Sequence, residues 1–175
     1  MALDPWTLER PRPCPRFRRE LIALRTDDPV EYVDITDHVT ACVRRSGITE
    51  GMVNVQTRHT TTAIVVNENE PGLLQDLSDM LARVAPREAR YNHDELGARP
   101  TPVPADEPLN GHAHLRSLIL ATSATLNIVG GRVELGRWQR VFFVELDGGR
   151  KREIAVGVNG LSWETPIGAE RGATG

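Results

Sequence analysis

A disulfide framework is the first thing this sequence lacks. Its 175 residues include two cysteines, Cys14 in a proline-rich start and Cys42 in a stretch of helical spacing, so a reducing cytoplasm is the expected setting. No apolar run approaches the ~18 residues of a membrane span; AIVV at 63–66 and LILA at 118–121 are among the longest. The opening MALDPWTLERPRPCPRF has no secretory apolar region. Five arginines lie between residues 10 and 19, yet Asp4, Glu9 and four prolines oppose an amphipathic targeting helix there. A net charge of −3 gives no support to binding of nucleic acid or of a membrane surface, and the Arg-rich start lacks interleaved aromatics. The chain has no GxxxxGK[ST] phosphate loop and no internal repeats.

What is present fits one domain, able to bury roughly 70% of its unfolded surface. Residues 1–16 read as a flexible Arg/Pro leader, 17–160 as the domain and 161–175 as a Gly- and Ala-containing tail. Strands are expected at 18–25, around Tyr32–Ile35, from Met52, and at the β-branched run Ala63–Val66. A helix capped by Thr36 or Asp37 should end at Gly47. A second, with Leu73, Leu74, Leu77, Leu81 and Val84 as its stripe, should end at Pro86. Residues 86–110 have little periodicity and five prolines; a loop this long is usually functional or disordered, and Tyr91-Asn92-His93-Asp94 favours function for its start. Leu115, Leu118 and Ile119 are spaced as on a helix. Strands follow at 125–129, 133–135, 141–146 and 153–158, the last two joined as a hairpin through Asp147-Gly148-Gly149. The expected fold is α+β, a mostly antiparallel β-sheet sandwich with about three helices.

Histidine is the strongest chemical signal. His59 precedes three threonines, His93 lies in YNHD, and His112 and His114 flank one alanine in GHAH. In a strand both rings of the last pair would share a face; in a helix they diverge by about 200° and cannot meet one ligand. We place them at a helix entrance, with His114 binding and His112 supporting it or idle. Three imidazoles with an open position describe a zinc-like catalytic site, against which stand scattered hydrogen-bonding histidines. Such a donor set suits zinc, manganese, iron or nickel better than magnesium, which prefers oxygen. Asp94, beside His93, is a candidate orienter or general acid or base. Glu70 reads as solvated, and Glu145 stands out among Phe143, Val144 and Leu146, although alternation can turn it outward. Thr60 and Thr61 with Arg137 offer an anion site, against the plainer reading of threonine as a strand residue. Trp138 is more often a core aromatic.

HTTT with NENEPG, YNHD, HAHLRS and GGRVELGRWQRVFFVE, in this order over roughly residues 17–158, together resemble the YjbQ-like family of secondary thiamine-phosphate synthases. The resemblance implies a compact α+β fold, usually a homotrimer, with a histidine-lined metal site. His59, His93 and His114 fall on the motif histidines, His112 matches only some members, and Glu68, Trp138 and Gln139 match. Arg137 stands where the family usually has threonine. The implied reaction is a transfer that joins hydroxymethylpyrimidine diphosphate to a thiazole phosphate with release of diphosphate. On that basis His59, His93 and His114 hold a divalent metal ion, zinc first. Thr60, Thr61 and Arg137 contact phosphate of a small phosphorylated substrate, and Asp94 or Glu68 handles protons. The alternatives are a metal-dependent hydrolase of a small phosphorylated or acyl substrate and a non-catalytic trimeric metal-binding module.

Overall fold

Val141 to Leu146 is buried at all six successive positions, which requires a strand covered on both faces. In a computed structural model that describes residues 12–104 and 106–164, all of this run but Leu146 lies in β7 (Gln139–Glu145), the middle of a three-stranded antiparallel sheet. Its neighbours are β2 (Glu31–Asp34) and β4 (Thr62–Glu68). Side chains of a strand alternate between faces, so β7 serves two cores. Val141 and Phe143 join Ile64 against Val53, Val55, Ile128, Ile154, Val156 and Val158 of a second sheet. Phe142, Val144 and Leu146 pack instead with Ala63, with Leu81 of α2 (Pro71–Val84) and with Ala113 of α3 (Gly111–Leu120).

The second sheet is antiparallel and five-stranded, in the order β1 (Arg12–Arg25), β8 (Lys151–Glu164), β3 (Glu50–Thr57), β5 (Ser123–Val129), β6 (Arg132–Val133). The first helix, α1 (Thr36–Ser46), adds Val39, Cys42 and Val43 to the core between the sheets. Sheet, sheet and helix layer give the α+β architecture expected, with three α-helices and eight strands among the described residues.

Several boundaries move. Residues 12–16, assigned to the leader, and 161–164, assigned to the tail, are strand: Pro15 pairs with Leu161 and Arg12 with Glu164. Proline is tolerated because β1 is an edge, where a missing N–H breaks no second ladder. The remainder of the expected leader and tail, 1–11 and 165–175, lies outside the described residues. The expected hairpin from 141–146 to 153–158 is instead a crossing from one sheet to the other. Gly149 allows it: a Cβ there would lie 2.6 Å from Asp27 Cα and 2.7 Å from Thr26 O, so only glycine fits against that loop. The 133–135 strand shrinks to the two residues of β6.

The helix ends follow local chemistry. Gly47, at φ 69°, closes α1 in the left-handed conformation that favours glycine. Neither Thr36 nor Asp37 is the cap of α1; Asp34 Oδ1 accepts from Thr36 N at 3.0 Å and from Thr36 Oγ1 at 2.6 Å. Glu70, read as solvated, caps α2 by accepting from Gly72 N and Leu73 N at 2.8 and 2.7 Å, bonds that hold its carboxyl below the usual range.

One edge contact ties β1 to α1. Glu20 accepts from Arg18 Nε at 2.8 Å, from Cys42 Sγ at 3.3 Å and from the Arg45 guanidinium. The Arg45 bond above all lowers its pKa from 4.5 to about 2. A depressed carboxylate favours the fold fully above its ordinary pKa, and that contribution disappears as pH falls through the folded value. Glu20→Gln is therefore expected to melt below wild type at neutral pH, with the gap closing between pH 4.5 and about 2. A gap that is constant across that window in thermal melts would refute the assignment.

Candidate functional site

The entrance of α3 is clamped from two sides. Asp94 Oδ1 accepts from Gly111 N at 2.9 Å, which brings the Tyr91–Asp94 turn onto the helix. A Cβ on Gly111 would meet Tyr91 Cβ at 2.6 Å, so glycine permits this approach. From the other side Asn110 Nδ2 donates to Asp147 Oδ2 at 2.8 Å. Asn110 O takes the first helical bonds, from Ala113 N at 2.9 Å and His114 N at 3.2 Å.

This clamp sets the His114 ring 4.4 Å from the His93 ring, the planes tilted by 55°. Both open on a pocket of about 450 Å³ lined also by Arg90, Tyr91, Asn92 and Leu115. Arg99 fixes His93: its Nε donates to the His93 carbonyl at 2.9 Å, its Nη2 lies 2.6 Å from His93 Nε2, and its Nη1 pairs with Glu107 at 3.1 Å. A guanidinium only donates, so His93 Nε2 is the acceptor and the ring proton sits on Nδ1. Burial, then the neighbouring His93, pushes the His114 pKa below its ordinary value. His112 leaves this pair, as helical spacing requires. Its ring is buried beside Arg116 in a different cavity.

A second polar cluster surrounds Glu145. Alternation turns it inward rather than outward: it faces the gap between the sheets, fully buried, and meets Arg152, which is nearly so. Arg152 donates through Nε to Oε2 at 2.6 Å and through Nη2 to Oε1. Thr26 Oγ1 donates to Oε2 at 2.9 Å, and the amides of Leu146 and Asp147 donate to Oε1 at 3.1 and 3.0 Å. Thr61 Oγ1 accepts from Arg152 at 3.4 Å, and His59 Nε2 accepts from the Glu153 amide at 2.9 Å. Burial, then the charge of Arg152, lowers the His59 pKa. Arg152 was not among the expected residues; its only herald was a carboxylate set in an apolar run.

The remaining expected residues lie elsewhere. Thr62 pairs with Glu145 at one end of the β4–β7 ladder and Glu68 with Gln139 at the other, roughly 20 Å away at the usual strand rise. Gln139 accepts from Gly136 N at 2.8 Å, and Arg137 lies 4.7 Å above the exposed ring of Trp138. Trp138 is thus no core aromatic. Antiparallel pairing separates Thr60 and Thr61 from Arg137, and Asp94 is engaged by the Gly111 amide at the entrance of α3. Among the described residues no three His, Cys, Asp or Glu side chains are grouped to hold a metal ion. His59 is bonded to strand backbone and His93 Nε2 to a guanidinium, so the three histidines do not fit a metal within one chain.

Two antiparallel sheets backed by helices, with a paired-histidine pocket at the mouth of the third helix, define the class. The chain belongs to the UPF0047 protein YjbQ-like family, whose profile matches residues 20–161. A UPF0047 protein of Methanothermobacter thermautotrophicus is 41% identical over 139 residues, 79% of this chain and 90% of the relative. One of Archaeoglobus fulgidus is 38% identical over 135 residues, 77% and 96% of the two chains. A crystal structure of a protein from Sulfolobus solfataricus P2, described as of unknown function, superposes with a TM-score of 0.76 at 32% identity, covering 84% of this chain and 99% of that one.

These relatives correct the expected activity. They are described only as UPF0047 proteins or as of unknown function, and none carries thiamine-phosphate synthesis by name. The transfer reaction rested on the motif resemblance, and the metal-dependent hydrolase on a three-histidine set that the described residues do not assemble within one chain. No helix among the described residues is long and apolar enough to cross a membrane.

The buried pair gives a stability test. Glu145→Ala leaves Arg152 charged, buried and unpaired, which is expected to cost about 3–5 kcal/mol in denaturant unfolding. Glu145→Leu with Arg152→Met removes both charges and should recover most of that loss. A double variant as unstable as the single one would show that packing, rather than the stranded charge, is at fault.

Proposed function

We propose that the pocket between the Tyr91–His93 turn and α3 binds a small molecule through its phosphate group, with His114 as the ring that meets the anion and His93 as its partner. The lining carries this reading. Its polar side chains come from Arg90, Tyr91, Asn92, His93 and His114, and no acidic residue lines it; Arg90 pairs through Nε with Glu95 at 2.8 Å, and the Tyr91 hydroxyl donates to the Pro86 carbonyl at 2.6 Å. The donors left to a ligand are the rest of the Arg90 guanidinium, the Asn92 amide and the His114 ring, a set that suits an oxyanion. Burial and the neighbouring His93 disfavour protonation of His114, and an anion beside the ring reverses that preference. His114, whose pKa is lowered in the free protein, then takes up a proton as the ligand enters.

Self-association, expected as a homotrimer, has support in the outer face of α3. Leu118 is 79% exposed and Ile119 54%, apolar surface that a second copy would cover. The two free cysteines fit the reducing cytoplasm, where we place the protein.

Titration of the full chain with inorganic phosphate and with glycerol 3-phosphate, followed through the histidine ring resonances, tests the pocket. Saturable shifts of His93 and His114 are expected, with His114 titrating at higher pH in the complex. His114→Ala should weaken binding about tenfold or more, as loss of a charge-assisted hydrogen bond does. Rings that do not respond, or equal binding by the variant, would exclude the reading.

A further inference from the structure

The side of α3 opposite His114 carries two anomalies that the phosphate pocket does not use. His112 is 4% exposed and its Nδ1 is buried with no hydrogen-bond partner. Arg116, one turn on, is 6% exposed and gives its Nε–H to the Ala85 carbonyl at 3.0 Å. No ion pair to Arg116 forms among the described residues, whereas Arg152, as deeply buried, has a bidentate carboxylate. A buried guanidinium without a counter-ion is costly, and an orphaned imidazole nitrogen adds to the cost. Both side chains line one cavity of about 220 Å³ behind the helix.

We propose that this cavity is a second binding site, built for a small carboxylate with a short apolar body. The carboxylate lies between the Arg116 guanidinium and the His112 ring, one oxygen accepting from Nδ1–H. The charge count favours a monoanion. Arg87 and Glu88, both exposed, also line the cavity and offset one another, which leaves Arg116 as the uncompensated charge. The walls favour carbon: Val30, Pro86 and Leu146 offer no side-chain donor to the further oxygens of a phosphate, and a hydrated dianion would lose water there without replacement. A pocket with apolar walls and a few convergent donors is the usual form of a small-molecule site. The inference is independent of the phosphate pocket, because it uses neither His93 nor His114.

Isobutyrate is the probe, added to the full-length chain at constant ionic strength and followed by backbone amide shifts. Saturable shifts are expected at 82–88 and 112–116, without movement of the His93 and His114 rings. Arg116→Met should weaken binding at least about tenfold, as loss of a hydrogen bond to a charged group implies. His112→Phe keeps the ring volume and removes the donor; it should weaken binding severalfold, and it provides the test if Arg116→Met fails to fold. Absence of saturable shifts overturns the proposal, as does unchanged affinity in His112→Phe. Tighter binding of inorganic phosphate at these residues would overturn the choice of a carboxylate.

Discussion

Glu145 and Arg152 meet where the chain leaves one sheet for the other, and most of the molecule's polar organisation depends on that meeting. Strand alternation puts Glu145 on the same face as Val141 and Phe143, and Arg152 on the same face as Ile154, Val156 and Val158. The two layers are thus joined by an apolar core that ends, at one edge, in a charge pair. Such a pair is tolerable in a core only when its hydrogen-bonding capacity is filled. Here the carboxylate accepts from Thr26, from Leu146 and Asp147 amides, and twice from Arg152. The demand is met by three separate stretches of chain, so the pair also fixes how the β1–β2 loop and the β7–β8 crossing lie against each other. Gly149, which admits no side chain between them, is the steric half of the same constraint.

From that crossing the constraint passes to the histidines. Glu145 holds the Asp147 amide, Asp147 holds Asn110, and Asn110 begins α3. The helix is then seated by small residues and polar bonds rather than by its leucines. Ser117 Oγ donates to the Thr62 carbonyl at 2.7 Å, and Gly111 and Ala113 allow close approach. A helix that buries His112, Arg116 and Ser117 and exposes Leu118 and Ile119 inverts the ordinary pattern. Its inner face carries polar side chains, and its outer face leaves leucine and isoleucine exposed.

That inversion marks the limit of what could be read from residue order. The layers, the antiparallel pairing and the first two helices were legible, because β-branched runs, Gly47 and the leucine stripe of α2 obey local rules. The divergence of His112 from His114 was legible too, since it follows from helical geometry alone. Periodicity at Leu115, Leu118 and Ile119 named a helix but not its buried face. The partner of Glu145 was hidden because Arg152 looks ordinary in Lys-Arg-Glu, and the hairpin was misread because Asp-Gly-Gly serves a crossing as well as a turn. The expected phosphate residues stand apart within one chain. Short motifs from β4 and β7 lie close in pattern, but antiparallel pairing sends Thr61 and Arg137 to opposite ends of the ladder.

The two cavities beside α3 share a wall but little else. One is donor-rich and ringed by imidazoles; the other is apolar with a single buried cation. Coupling between them would require a helix with two discrete positions, which packed elements adopt only where an interface is bistable. The start of α3 is bonded on both flanks, to Asp94 and through Asn110 to Asp147, and its second turn is bonded to β4. Sliding it would break all of these bonds together, including one end of the chain that leads to the buried Glu145. The helix therefore acts as a fixed partition between two cavities of different chemistry.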